Sequence, residues 1–380
     1  MAQAVGAHSI LNQAVLTFHL RQRAEAMRAF ATIVTCVAVC LKSSTAFQVL
    51  HNSTTKKDVL VVVIGQLRGG EMAWESLRRR LLKPWNADLA LMTDIKDERN
   101  LRSSLFKDVV YKWHVPEPDD WGDVLDKIPG IREDWRAQIC PMLEGQFLGG
   151  VKNCHTGSSG ILLASRYLLQ QHLRQLRSDG VAYKWVVLTR ADYLYGCDMP
   201  SLSQFQDDGH HFVAGAYNVP DEQGYRGITD RFSVLPGDLA DKVLDVPRSL
   251  LSDPGFWKEI GVHATGSCHG KRICNLEGVL AHYCQREGIK LHRYRHPAFT
   301  VRQAGDPGSW SQGSHIDTLE AYDLMSRYPD EFTSTKKICG GKEALVSELA
   351  SLYSAVGGKA PAGNLFQMLV GNETIRFDVK

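Results

Sequence analysis

The sequence has nine cysteines and no Cys-x-x-Cys pair, so the usual signatures of a zinc ribbon and of a dithiol redox site are missing. It contains no Gly-x-Ser-x-Gly turn and no His-Glu-x-x-His segment, which argues against a serine hydrolase elbow and a zinc-hydrolase helix. There is no excess of either charge: 44 Lys and Arg stand against 42 Asp and Glu, a net +2. Such a balance offers no electrostatic case for nucleic acid or an anionic membrane surface. Internal repeats and long low-complexity tracts are absent. The apolar run Ala29–Leu41 carries no charge but falls short of the roughly 20 residues of a membrane-spanning helix.

What is present is ordinary globular composition, 44% hydrophobic and 23% charged over 380 residues. That length can hold one large α/β domain, or one domain with an appendage. Arg21, Arg23 and Arg28 precede the Ala29–Leu41 run, and Ser44-Thr45-Ala46 follow it. If translation starts at Met27 this is a cleaved signal peptide; if it starts at Met1, a single N-terminal signal-anchor; the bland alternative is a buried helix. Asn52-Ser53-Thr54 and Asn372-Glu373-Thr374 are glycosylation sequons. These features favour the ER or Golgi lumen, anchored or secreted. The expected organisation is a signal and stem over 1–57, a main domain over 58–300 and a C-terminal extension over 301–380. Cys268, Cys274 and Cys284 are close enough in sequence for a local disulfide, with buried free thiols as the alternative.

Asp58–Ile64 is a continuous β-branched run, as in a strand covered on both faces of a parallel sheet. Gly65-Gln66-Leu67-Arg68-Gly69-Gly70 follows, a turn whose glycines let the backbone approach an anion. A helical pattern then runs through Trp74, Leu77, Leu81 and Leu82 to Pro84. Ala87–Asp94 is a second strand ending at an acid, and Val109–Trp113 a third. His114 and His172 read as packing or surface residues. A helix over Ile161–Leu176 leads into the short apolar run Trp185–Leu188, which ends in Arg190 and Asp192. Open α/β sheets place ligands at such carboxyl ends. Further strands are expected at His211–Tyr217 and, at a sheet edge, Ile289–Arg295. Residues 218–229 and 304–314 read as connections. A helix is expected from Asn275 and another near Glu343–Ala355, the rest of the C-terminal part carrying little chemistry.

Four short motifs occur in order: Gly65-Gln66-Leu67-Arg68, Arg190-Ala191-Asp192, Asp230-Arg231-Phe232 and Glu277-Gly278-Val279-Leu280. Their order and spacing over about 58–300 resemble the glycosyltransferase-A-type proteins with a G-x-x-R first turn, an R-x-D strand end, a D-x-F element and a late E-x-x-L helix. The resemblance implies a Rossmann-like α/β/α sandwich with a mostly parallel central sheet. It also implies transfer of a sugar from a nucleotide-diphosphate donor to a glycan or glycoprotein acceptor. Arg68 and Arg190 would then meet phosphate, Asp94 the nucleoside, and Asp192 a Mn or Mg ion or the ribose. If the reaction inverts configuration, Asp230 and Glu277 are the candidates for the base that takes the acceptor's proton. Arg190 stands where the usual D-x-D motif has its first acid, which leaves the metal in question. The alternatives are a non-catalytic glycan-binding or scaffold protein on the same fold, and a secreted nucleotidyltransferase-like enzyme.

Overall fold

The computed structural model describes residues 57–94, 104–142, 148–154, 158–204, 210–214, 229–267, 276–303, 312–358 and 375–379. The leader, both sequons, Cys268 and Cys274 lie outside these residues.

Twelve strands are described, in two sheets. β1 (Val59–Ile64), β2 (Asp88–Thr93), β3 (Val109–His114), β4 (Trp185–Thr189), β6 (His210–Ala214), β7 (Ser233–Pro236) and β8 (Lys290–Tyr294) form a seven-stranded sheet in the order β3-β2-β1-β4-β7-β6-β8. β3, β2, β1 and β4 pair in parallel. β7 is antiparallel to both its neighbours, and β8 closes the far edge in parallel with β6. The fold is thus α/β with a mostly parallel central sheet, as expected, and β8 occupies the edge foreseen for it.

Alternation along the central strands builds a core on each face, because successive side chains point to opposite sides of a sheet. Leu60, Val62, Ala90, Met92, Val186 and Leu188 face one way, against the helix Ser159–Ser178 and the helices between Ala240 and Arg286. Val59, Val61, Val63, Leu89, Leu91, Trp185 and Val187 face the other way, against the helix Gly70–Leu77 and the second sheet. All of β1 up to Val63 is fully buried, which is why its sequence shows no polar alternation. His172, on the long helix, stacks on Trp113 with ring centroids 4.5 Å apart. Burial lowers its pKa to about 4, so it is a neutral packing residue.

The second sheet has the order β12-β10-β11-β9-β5, from β5 (Tyr193–Tyr195), β9 (Ala298–Gln303), β10 (Gln312–Ile316), β11 (Leu324–Ser326) and β12 (Ile375–Val379). One sequence expectation changes here: part of the 304–314 connection is the strand β10. Cys284 is a buried thiol in the core, outside any disulfide, the second of the two alternatives for it. The disulfides among the described residues are Cys140–Cys154 and Cys197–Cys339.

The C-terminal residues are packed onto the strand that continues from β4. β9 pairs with β5 from Tyr193↔Thr300 to Tyr195↔Ala298. The helix Lys342–Ala355 lies against the helix Gly70–Leu77, where Arg80 bonds Glu348 and Asp198. Cys197–Cys339 spans a sequence separation of 142, so it restricts a long loop in the unfolded chain. Replacing both cysteines by serine is expected to lower unfolding free energy by about 2–4 kcal/mol. Urea denaturation of the two proteins checks this, and an unchanged midpoint would refute it.

Candidate functional site

The register of the central sheet decides which residues meet. Val63 pairs with Thr189 and Ile64 with Met92, so the turns after β1, β2 and β4 leave the sheet at one edge. β7 runs the opposite way, with Ser233 opposite Leu188. Its approach, Thr229-Asp230-Arg231-Phe232, therefore reaches the same edge. β8 is parallel to β6 and ends there too, delivering Arg295 and His296. Arg68, Asp94, Arg190, Asp192 and Asp230, far apart in sequence, are thus gathered at the carboxyl edge of the parallel strands, the edge at which open α/β sheets bind ligands.

The first turn is seated on the β4 turn. Gly69 has φ +88°, and a Cβ there would lie 2.7 Å from Asp192 Cα and 3.0 Å from Ala191 O. Only glycine permits both the backbone shape and the approach. Trp74 Nε1 donates to Arg68 O at 3.0 Å, fixing the turn from the helix side. The Arg68 guanidinium donates to Gln66 within the same turn. At the β2 end, Asp94 Oδ2 accepts from Glu117 N at 3.3 Å, and Asp94 Oδ1 lies 4.0 Å from His114 Nδ1.

Arg190 and Asp192 form a two-pronged ion pair, Nε to Oδ1 at 2.8 Å and Nη2 to Oδ2 at 2.5 Å. Asp192 is 1% exposed. Burial opposes the charge on Arg190, but Asp192 more than offsets it and holds the guanidinium above its ordinary pKa.

Arg231 sits beside this pair. It donates from Nη1 to Glu331 Oε1 at 2.7 Å and to Thr300 Oγ1 at 3.3 Å, and from Nε to Thr229 Oγ1 at 3.2 Å. Glu331 Oε2 accepts from Thr300 N at 2.7 Å and from Thr300 Oγ1 at 2.8 Å. Glu331 is 1% exposed. Burial again opposes the Arg231 charge, and Glu331 overrides it. The Tyr328 ring carries two guanidiniums, Arg231 at 4.5 Å and Arg327 at 5.1 Å from its centroid, a cation–π arrangement. Burial lowers the Arg327 pKa, and the positive charges of Arg190 and Arg231 lower it further.

Asp230 and Glu277 also come together. Glu277 lies in the first turn of the helix Leu276–Arg286. Burial and then the negative charge of Asp230 raise its carboxyl to about 7, against the partial relief of Arg231 and Arg166. Arg166, buried in the helix Ser159–Ser178, donates to Asp230 O at 3.2 Å and to Leu162 O at 3.3 Å. A carboxyl with a pKa near neutrality can accept a proton at working pH and release it again. His296, 1% exposed, lies among Tyr193, Tyr195, Phe232 and Tyr294. Burial and then Arg231 push its pKa down to about 3, so it is neutral.

The described residues do not form a cradle for a divalent ion. Both oxygens of Asp192 face Arg190. Among the described residues, no three His, Cys, Asp or Glu side chains stand close enough to share an ion. An ion binding Asp192 would have to displace the Arg190 guanidinium or sit beside its positive charge.

Arg166, His296, Arg327, Tyr328 and Glu331 were not singled out from the sequence. Arg166 was detectable, since it interrupts the apolar face formed by Leu162, Leu163, Leu169 and Leu173. Glu331 was not, because an acid after Pro329 in a helix's first turn is commonplace.

No protein-family profile matches the sequence, and no curated protein matches it. Among solved structures, the chain is similar to mouse xyloside xylosyltransferase 1 in its apo form, with 9% identity, 63% of this chain and 85% of that one covered, and a TM-score of 0.35. It is also similar to the galactosyltransferase LgtC in complex with donor and acceptor sugar analogs, at 9% identity, 61% and 72% coverage, and a TM-score of 0.29. A third is a glycosyltransferase involved in the glycosylation of the major capsid of PBCV-1, at 8% identity, 62% and 81% coverage, and a TM-score of 0.27. Likeness at this level carries no functional information.

Glu277 is expected to titrate near pH 7 in the folded protein. Infrared difference spectra across pH 5–9 should show a carboxyl band that Glu277→Gln removes; a midpoint below about 5, the ordinary carboxylate range, would contradict the arrangement. Because the folded-state value lies above that of the unfolded chain, the group favours folding fully at low pH, and that contribution fades as pH rises through about 7.

Proposed function

We propose that the protein is a glycosyltransferase that moves a sugar from a nucleotide-diphosphate donor to a glycan or protein hydroxyl. The observation that carries this reading is the meeting, at one sheet edge, of a guanidinium-rich group and a carboxyl poised near neutrality. The first comprises Arg190, Arg231 and Arg327; the second is Glu277 beside Asp230. Transfer from such a donor with inversion at the anomeric carbon uses both. The bond between the sugar's anomeric carbon and the diphosphate oxygen breaks, and its electron pair stays on the diphosphate. Fixed cations stabilise that growing charge. The acceptor oxygen bonds to the anomeric carbon, and its proton passes to a base.

Glu277 is the stronger of the two candidates for that base. Its pKa lets it be ionised at neutral pH and still hold a proton well, and Asp230 contributes by disfavouring a second negative charge nearby. Arg231 and Arg166 keep the carboxylate form accessible. Arg68 and Asp94, at the ends of β1 and β2, flank the edge where the nucleoside end of a donor would extend.

A lumenal location belongs to the same reading. Its supports are the N-terminal Ala29–Leu41 run, the sequons at Asn52 and Asn372, and the Cys140–Cys154 and Cys197–Cys339 disulfides, which persist in oxidising compartments. No helix among the described residues is long and apolar enough to cross a membrane.

A panel of UDP- and GDP-sugars, assayed for release of nucleoside diphosphate with a mixed glycan acceptor, tests the reading. One donor should turn over, and its rate should rise with pH through about 7 as Glu277 ionises. Glu277→Gln should lower kcat by about 10²-fold or more while the melting temperature is kept. Pyrophosphate release would mark a nucleotidyltransferase instead, and a folded Glu277→Gln protein with full turnover would remove Glu277 as the base.

A further inference from the structure

We infer that the diphosphate is held by Arg190, Arg231 and Arg327 in place of a divalent metal ion, and that donor binding is metal-independent. This deepens the glycosyltransferase reading and rests on it. Three observations combine.

The acid expected to bind a metal is already committed. Asp192 is 1% exposed and receives both prongs of Arg190. An ion entering there would have to displace a guanidinium from a buried carboxylate. The position that would supply the first acid of a D-x-D motif supplies that guanidinium instead. The charge a metal would bring is thus already present in the covalent chain, and its partner carboxylate orients it.

The other two guanidiniums are brought to the same place by the second sheet. Asp192 O accepts from Val301 N at 2.8 Å, and Thr300 O accepts from Arg327 N at 3.1 Å. The backbone just before β5, along β9 and just after β11 therefore lies side by side. Arg231 donates to both Thr300 and Glu331, and Arg231 and Arg327 both lie over the Tyr328 ring. The three cations come from three separate elements, and each is held in position by a carboxylate or a ring.

Arg190 and Arg231 each lie within electrostatic reach of Arg327, so the three positive charges act on one region. A diphosphate, with its several anionic oxygens, is matched to planar guanidinium forks. Arg327 is the member furthest from the sequence motifs and comes from the C-terminal region, so it is the most discriminating residue to test.

Isothermal titration of the full chain with UDP, GDP and inorganic pyrophosphate, each in EDTA and in Mn²⁺, provides the test. Pyrophosphate and at least one nucleotide should bind in EDTA, with affinities that Mn²⁺ changes less than about threefold. Arg327→Gln should weaken both by about tenfold or more, as expected for loss of a charge-assisted phosphate contact. Arg327→Lys, which keeps the charge and loses the fork, should fall between; it also serves if the glutamine variant does not fold. Binding that appears only with Mn²⁺ would overturn the metal-free site and leave the donor reading standing. Absence of binding in both conditions would overturn both. Unchanged affinity in folded Arg327→Gln and Arg327→Lys would overturn the three-guanidinium cluster.

Discussion

The buried ion pair between Arg231 and Glu331 is the contact on which the site's construction depends. Taking two charges out of water costs several kcal/mol for each ion, and direct attraction repays it only when the remaining hydrogen-bonding capacity is used. Here it is used: Thr300 donates to Glu331 through both its backbone N–H and its hydroxyl, and Thr229 accepts from Arg231. The pair joins the approach to β7 in the central sheet to the helix Pro329–Ile338 of the C-terminal region. It does so over β9, which is itself zipped to the strand following the Arg190–Asp192 turn. A single set of hydrogen bonds thus sets the distance between the arginines and the outlook of Asp230.

The electrostatics divide the edge into two territories. One is cationic, around Arg190, Arg231 and Arg327, and suits a departing anion. The other is acidic, around Asp230 and Glu277, and suits proton transfer. Arg231 belongs to both, since it binds Glu331 on one side and lowers the cost of ionising Glu277 on the other.

Much of the central sheet was legible in the sequence because burial on both faces leaves an unmistakable mark. Val59–Ile64 and Trp185–Leu188 are apolar throughout, the first followed by Gly65 and Gln66 and the second by Thr189 and Arg190. Arg68, Asp94, Arg190 and Asp192 were legible as residues at strand ends, which parallel register brings together; Asp230 was legible as part of the Asp-x-Phe motif, and the antiparallel β7 starts from the same edge. The second sheet was harder to read. β10 is Gln312–Ile316, where Gly-Ser-His carries no strand signature, and β11 is only Leu324–Ser326. Their pairing comes from tertiary context, which overrides weak local preference. The roles of Glu331 and Arg327 were hidden for the same reason: nothing in a linear pattern says that an acid in a helix's first turn will be swallowed beside an arginine 100 positions earlier.

The place of Glu331 in the chain bears on how the protein is made. A ribosome delivers the chain from the amino end, and domains start to fold as they emerge. The sheet through β8 can form before residue 331 leaves the exit tunnel, but until then Arg231 lacks its carboxylate and stays open to water. Closure of the edge over Arg231 therefore waits on the residues that carry Tyr328 and Glu331.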